Sequence, residues 1–401
     1  MKHVTLVFVT LVVVVVTALV FDFTNGFHDT ANAMATSIAT KALKPKTAVT
    51  LSAILNLIGA FLSVEVAITV TNSVIRIQNP DGTPIERLTA GGGFDLLEIL
   101  FCGLAGAIVW NLLTWLWGLP SSSSHALFGG LVGATIAGLG WGGVKWIGEG
   151  YVLDGVVGKV VLPAVLSPVV AGIVSAVATR VVFWVTEGVN ERWREAGFRW
   201  GQIGTSSLMS LSHGTNDAQK TMGVVTLSLL ATGYWTDTAQ IPTWVKVACA
   251  FAIALGTYIG GWRIIRTMGK GLVEVSSPQG MSAESASAVV ILTSSQLGFA
   301  LSTTHVATGS ILGTGVGRKG ATVRWRVAGR MVLAWLTTLP LAAVVGAALW
   351  FIAHLLGDYY GVAAVFVIMT GSALAMYIRS RRDKVGHHNV NDEWDGEGGR
   401  P

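Results

Sequence analysis

The chain has 401 residues, of which 52% are apolar and 12% charged, with a formal net charge of +5. A soluble globular protein carries roughly 25% charged residues, so this composition excludes a soluble enzyme and a disordered chain. Cys102 and Cys249, each inside an apolar segment, are the only cysteines, which excludes a disulfide scaffold and any cysteine metal spacing.

What remains is an all-α polytopic membrane protein, and the segments are read in chain order. Lys2 and the apolar run from Val4 to Val20 imitate a secretory signal. No clear A-x-A cleavage site follows the run, which continues past polar residues to Thr40. Further apolar stretches lie near 47–71, 95–117, 121–140, 157–185, 200–232, 243–263, 284–300, 301–317, 327–353 and 360–379. A helix needs about 20 residues to cross the hydrocarbon, so most of these can span; 301–317 is short and polar-headed. Basic clusters at Lys41/Lys44/Lys46, Arg192/Arg194/Arg199, Arg263/Arg266/Lys270, Arg318/Lys319/Arg324 and Arg379/Arg381/Arg382 are placed in the cytoplasm. The positive charge is therefore topological and implies no nucleic-acid partner. Segments 72–94, 141–157, 233–242 and 354–359 become external. The expectation is eleven crossings of the cell membrane, with the N-terminus outside and the C-terminus inside. The polar tail 380–401 is expected to be disordered.

Two motifs recur. NGFHDTANAM (25–34) pairs with HGTNDAQKTM (213–222) at an offset of 188, placing Gly26 on Gly214, Asp29 on Asp217 and His28 on Asn216. SSSSHALFGGLVG (121–133) pairs with LSTTHVATGSILG (301–313) at an offset of 180, placing His125 on His305. The chain therefore divides into repeats at 1–186 (signature 25–34, hairpin 120–140) and 187–354 (signature 213–222, hairpin 301–317), with an extra helix at 355–379. By the charge-based topology the copies cross in opposite senses, the pattern of secondary transporters with a midplane site.

Asp29 and Asp217 sit in apolar segments, where a carboxylate costs about 2.5–3.5 kcal/mol and persists only against protein or a water-filled cavity. Asn25, His28, Asn32, His213, Asn216, Gln219 and Lys220 cluster around them. Gly26 and Gly214 are expected to break the helices and free N–H groups for an anion. The hydroxyls of Ser121–Ser124 and Ser302–Thr304 are further donors. Two carboxylates beside an anion site need a cation or proton between them, so binding of the two ions is coupled.

Plainer roles compete for several residues. The glycine pairs 129/133 and 309/313 read as helix packing. For His125 and His305, function and helix-cap structure weigh equally. Glu65 reads as mid-span, either in ion passage or in a buried salt bridge with Arg263. Lys220 reads as the counter-ion of Asp217 ahead of a substrate contact.

NGFHDTANAMAT and SHGTNDAQKTMG resemble the duplicated signature of the inorganic phosphate transporter (PiT) family, of the bacterial low-affinity permease type, and PSSSSH and LSTTH are similar to its two re-entrant hairpins. The resemblance runs from the first span to about residue 380. It implies two inverted-topology repeats with broken helices and two re-entrant hairpins, a dimer interface on the surrounding helices, and symport of inorganic phosphate with Na⁺ or H⁺. It also implies carriage of phosphate partly as a neutral divalent-metal complex, with no resident cofactor or fixed structural metal. Carried over, Asp29 and Asp217 are the paired acids, Asn32 and Asn216 amide contacts, and Ser123, Ser124, Thr303 and Thr304 the substrate hydroxyls. His28 departs from the Asn that sodium-dependent members carry before Asp, and Lys220 puts a fixed charge where a second cation would sit. Imidazole takes a proton near neutral pH and is a poor Na⁺ ligand, so H⁺ coupling is favoured over Na⁺.

The alternatives are a sulfate permease of the same fold, an ion channel and an intramembrane metalloenzyme. Sulfate has no proton to donate to Asp29 or Asp217, and mirrored helix breaks suit alternating access better than an open pore. No H-E-x-x-H or similar ligand pair is present, so the chain is not expected to be an enzyme.

Overall fold

The computed structural model describes residues 2–76, 90–148 and 153–392; parts of the expected loops 72–94 and 141–157, and tail residues 393–401, lie outside the described residues. The fold is all-α. The first half contributes α1 (Lys2–Ala39), α2 (Pro45–Gly59), α3 (Glu65–Ser73), α4 (Phe94–Leu116), α5 (Ser123–Leu139) and α6 (Leu162–Val185). The second contributes α7 (Glu191–Ala231), α8 (Thr243–Ile259), α9 (Trp262–Lys270), α10 (Ser277–Gln296), α11 (Thr303–Gly317) and α12 (Trp325–Leu356), followed by α13 (Asp358–Ser380). Five helices are long and apolar enough to cross a membrane, or six spans if the bent pair α8–α9 counts as one. The others fall below that measure because they are short or, like α7 and α10, carry buried polar side chains.

The signature helices differ from expectation. Both α1 and α7 run unbroken through their motifs, over 38 and 41 residues. Gly26 and Gly214 serve close approach instead. A Cβ on Gly26 would lie 2.3 Å from the Ile253 carbonyl oxygen, and one on Gly214 2.3 Å from that of Asn56. Missing side chains let neighbouring backbones touch there, so helix hydrogen bonding continues. The breaks fall elsewhere: between α2 and α3, at the 68° bend between α8 and α9, and at the turns 117–122 and 297–302 that start α5 and α11. Gly260, with φ +76°, supplies the left-handed residue at the second of these.

Matching motifs make matching contacts across the halves. Gly26 on α1 meets Ile253 of α8, and Gly214 on α7 meets Asn56 of α2. Gly129 and Gly133 on α5 abut the carbonyls of Leu339 and Ala343 on α12, while Gly309 and Gly313 on α11 abut those of Pro168 and Gly172 on α6. The small-residue spacings thus pack helices. Each hairpin helix lies against the closing helix of the other half, so 1–186 and 187–354 interlock and are not two separate bodies.

The tail also departs from expectation as far as residue 392. Arg263 donates to the carbonyls of Ser380 (3.0 Å) and Asp383, Lys270 donates to that of Asn391, and Asn391 Nδ2 donates to Ile38 O at 3.2 Å. Val390 is buried. These contacts order 381–392 against the ends of α1 and α9.

Candidate functional site

Two hairpin helices start at the centre of the molecule. Ser122 caps α5 by accepting from the His125 backbone N–H at 3.1 Å, and Ser302 caps α11 by accepting from that of His305 at 3.2 Å. Ser123, Ser124, Thr303 and Thr304 therefore occupy first turns, where N–H groups lack intrahelical acceptors and the helix dipole is positive. Against these turns lie the signature residues of α1 and α7.

Asp29 faces the first hairpin. The Ser123 hydroxyl donates to its Oδ1 at 3.0 Å, and His28 Nδ1 lies 2.6 Å from the same oxygen. The other His28 nitrogen is 3.3 Å from the hydroxyls of Thr114 and Ser121. Asp217 faces the second hairpin: the Thr303 hydroxyl donates to its Oδ2 at 2.8 Å, and His213 Nε2 is 2.8 Å from that oxygen. Thr303 Oγ1 is also 3.5 Å from Asp29 Oδ2, so one hydroxyl stands between the two carboxylates. Asn32 Nδ2 donates to Thr303 and Thr304, both at 3.1 Å.

Lys220 closes the group. Its ammonium pairs with Asp217 and donates to Ser124 Oγ (2.5 Å) and Leu301 O (2.7 Å). The structure thus places it as counter-ion and ties α7 to both hairpins. Every member of this cluster is buried. Single ligand atoms of Asp29, His213 and Asp217 lie within 4.8 Å of one another. The Oδ1 atoms of Asn32 and Asn216 are buried with no hydrogen-bond partner. These are spare acceptors for a cation or for a P–OH group.

Other expected residues are not in this cluster. Asn216 Nδ2 turns to Ser295 Oγ at 2.8 Å. Asn25 is buried with its Oδ1 unpartnered. The His125 and His305 rings meet edge to face at 4.7 Å, and His305 packs 4.2 Å from the Trp335 ring, so both join the hairpin interface rather than the carboxylates. The buried-pair reading of Glu65 is corrected: the residue is exposed, in the first turn of α3. Arg263 instead binds the tail, and no Glu65–Arg263 pair occurs among the described residues. The chain breaks its helix at 60–64, so Glu65 opens a new helix at the protein surface. Glu65→Gln is expected to leave phosphate uptake within about twofold of wild type, the range of an exposed substitution, read from initial uptake rates in proteoliposomes.

Three buried carboxylates were missed: Glu284, Asp22 and Glu98, the last inside α4. Glu284 on α10 accepts from Thr36 (2.6 Å), Thr205 (2.7 Å) and Gln202 (3.2 Å). Starting that span at residue 284 put the acid at its edge, whereas α10 begins at Ser277. Asp22 lies inside α1, fully buried. An acid within an apolar run is the signal that marks it in the sequence, seven residues before Asp29.

A cavity of about 1580 Å³ opens away from the carboxylates, on the basic end of the protein, among Arg263, Arg266, Lys270, Arg318, Arg324 and Arg382. The remaining ion pair of note is on the opposite loops, where Lys145 meets Asp154 at 2.5 Å. Burial pushes the Asp154 carboxyl up, but hydrogen bonds from Lys145 and Ser73 outweigh it and hold the group below its usual range.

The phosphate transporter family matches residues 25–346 of this chain. A relative from Mycobacterium bovis, described as a probable low-affinity inorganic phosphate transporter, is 57% identical over 387 residues, covering 96% of this chain and 88% of the relative. One from Bacillus subtilis with the same description is 39% identical over 345 residues, covering 86% and 97%. Among solved structures, one titled the sodium-dependent phosphate transporter superposes with a TM-score of 0.72 at 22% identity, over 86% of this chain and 99% of that one. At that identity the likeness is one of fold.

Proposed function

This chain belongs to the phosphate transporter family, a family of multi-pass membrane transporters rather than enzymes, and we propose that it imports inorganic phosphate together with a proton by alternating access around the Asp29–Thr303–Asp217 cluster. The observation that carries this reading is the single hydroxyl between two carboxylates, flanked by the starts of two capped helices. The first-turn N–H groups and hydroxyls of α5 and α11 are the phosphate donors.

Coupling follows from competition for those donors. Without phosphate, Ser123 and Thr303 give their protons to Asp29 and Asp217. Phosphate arriving at the hairpins turns these hydroxyls to its own oxygens. The carboxylates lose donors and gain a neighbouring anion, and both changes favour protonation. Phosphate therefore strengthens proton binding, and by linkage the proton strengthens phosphate binding to the same degree. His28 and His213, each against one Asp, are the groups through which the proton enters this balance. Lys220 supplies a fixed positive charge on the Oδ1 side of Asp217.

The closed, buried cluster corresponds to an occluded state. Rocking of two inversely oriented repeats would open it to one side at a time. The basic cavity would then lie on the cytoplasmic side, with the N-terminus outside, in accord with the positive-inside rule. The ligand atoms of Asp29, His213 and Asp217 favour one addition: a divalent metal entering with phosphate as cargo.

The test is phosphate uptake by purified protein in proteoliposomes under separately imposed gradients. An inward H⁺ gradient is expected to drive saturable uptake without sodium. Uptake that needs a Na⁺ gradient and ignores a proton gradient would overturn the coupling, and sulfate competing equally with labelled phosphate would overturn the substrate. Uptake unchanged by a chelator would remove the metal from the cargo.

A further inference from the structure

We propose that Asp22 is a proton-binding site on the approach to the carboxylate pair from the N-terminal side of α1, loading the proton that the central cluster then uses. This rests on the proton-coupled reading above and adds a residue to it. Asp22 lies seven residues before Asp29, about 10 Å along the helix axis. Its side chain is fully buried, and neither carboxylate oxygen has a hydrogen-bond partner.

A carboxylate kept for structure looks different in this same protein. Glu284 is equally deep, and three donors hold it. Asp22 has none. Its neighbour Thr24 donates back to Phe21 O. The Thr221 hydroxyl is the donor group on α7 that acts on Asp22, though outside hydrogen-bond distance, and Asp217, Lys220 and the Cys249 thiol of α8 share its electrostatic surroundings. Lys220 cannot pair with it, because an ammonium has three protons and these go to Asp217, Ser124 and Leu301. A bare carboxylate with no donor at this depth is costly, and binding a proton removes that cost.

The fold itself does not demand an acid there. At the signature offset of 188 the second half has Ser210, whose hydroxyl donates to Ser206 O. Beside Asp22 is the Thr221 hydroxyl, and between Asp22 and Asp29 on α1 comes the Asn25 amide oxygen, both buried and unpartnered. They provide the polar steps for a proton relayed through water. The Asp22 carboxyl O–H bond breaks, the proton passes to the carboxylate of Asp29, and Asp22 is left as carboxylate. It regains a proton from the aqueous phase on the N-terminal side when that side opens. No electrons move and no other reactant is needed.

The test uses the full-length protein in proteoliposomes with Asp22→Asn and Asp22→Glu. For Asp22→Asn, uptake driven by an inward proton gradient is expected to fall about tenfold or more, in the range of a lost proton-transfer group, while phosphate–phosphate exchange at equal pH falls far less. Asp22→Glu should recover gradient-driven uptake with a displaced pH profile. Infrared spectra of the wild type at neutral pH should contain a protonated-carboxyl C=O stretch that Asp22→Asn removes. Undiminished gradient-driven uptake in Asp22→Asn, or equal loss of uptake and exchange in both variants, would overturn the proposal. So would the absence of the infrared band. A wild type that ignores the proton gradient removes the coupling reading and the relay together; a proton-driven wild type with an unaffected Asp22→Asn removes the relay alone.

Discussion

Asp29→Asn and Asp217→Asn should each reduce phosphate uptake on the order of 100-fold or more, because each removes a charge-assisted hydrogen bond of about 1.5–3 kcal/mol and the only atom at that place able to bind a proton as acid. Asn keeps the side-chain volume, so packing alone cannot account for the loss. The two variants should nevertheless differ in stability. Asp29 has His28 as its basic partner, and an imidazole can release its proton and remain neutral. Asp217 is paired with Lys220, both side chains at most 1% exposed. Asp217→Asn therefore leaves a buried ammonium without its counter-ion, which costs about 3–5 kcal/mol. Thermal unfolding in detergent should show a marked fall for Asp217→Asn and a small one for Asp29→Asn. Full uptake by either variant in proteoliposomes would remove the pair from the transport site, and equal melting would mean that Lys220 is not held by Asp217.

Lys220→Met should destabilise the protein by a similar amount, about 3–5 kcal/mol, for the mirror-image reason. Met fills most of the volume of the lysine stem but leaves the buried Asp217 carboxylate with only Thr303 and His213 against it. It also removes the donors to Ser124 and Leu301 that join α7 to both hairpins. The double variant Asp217→Asn/Lys220→Met removes both charges and should be more stable than either single variant, though inactive. A double variant whose melting point equals the sum of the two single losses would show that the residues act independently.

Several features were legible in the sequence because they are one-dimensional. The scarcity of charge required a membrane protein, and apolar runs gave most of the helices. The repeat was visible because two motifs recur in order, and Asp29 and Asp217 stood out as acids in apolar segments. The glycines were read correctly at 129/133 and 309/313, where regular spacing means packing, and wrongly at 26 and 214. There a glycine serves a helix break or a close neighbour equally well, and only the carbonyls of Ile253 and Asn56 decide between them. Glu65 was misjudged because a hydropathy window runs across the break at 60–64. The tail was expected to be disordered from its polarity, yet Arg263 and Lys270, 110 or more residues earlier in the chain, hold its carbonyls.

The amino-acid sequence alone determined the class of protein and displayed two recurring motifs with an acid in each, since composition, period and the cost of a buried charge act locally along the chain. The tertiary structure alone decided which hydroxyl stands between those acids, that Lys220 serves Asp217, and that Asp22 has no donor while Glu284 has three. Each of these depends on which groups meet across interlocked helices, and in a low-dielectric interior the partner, rather than the residue type, sets what a polar side chain can do.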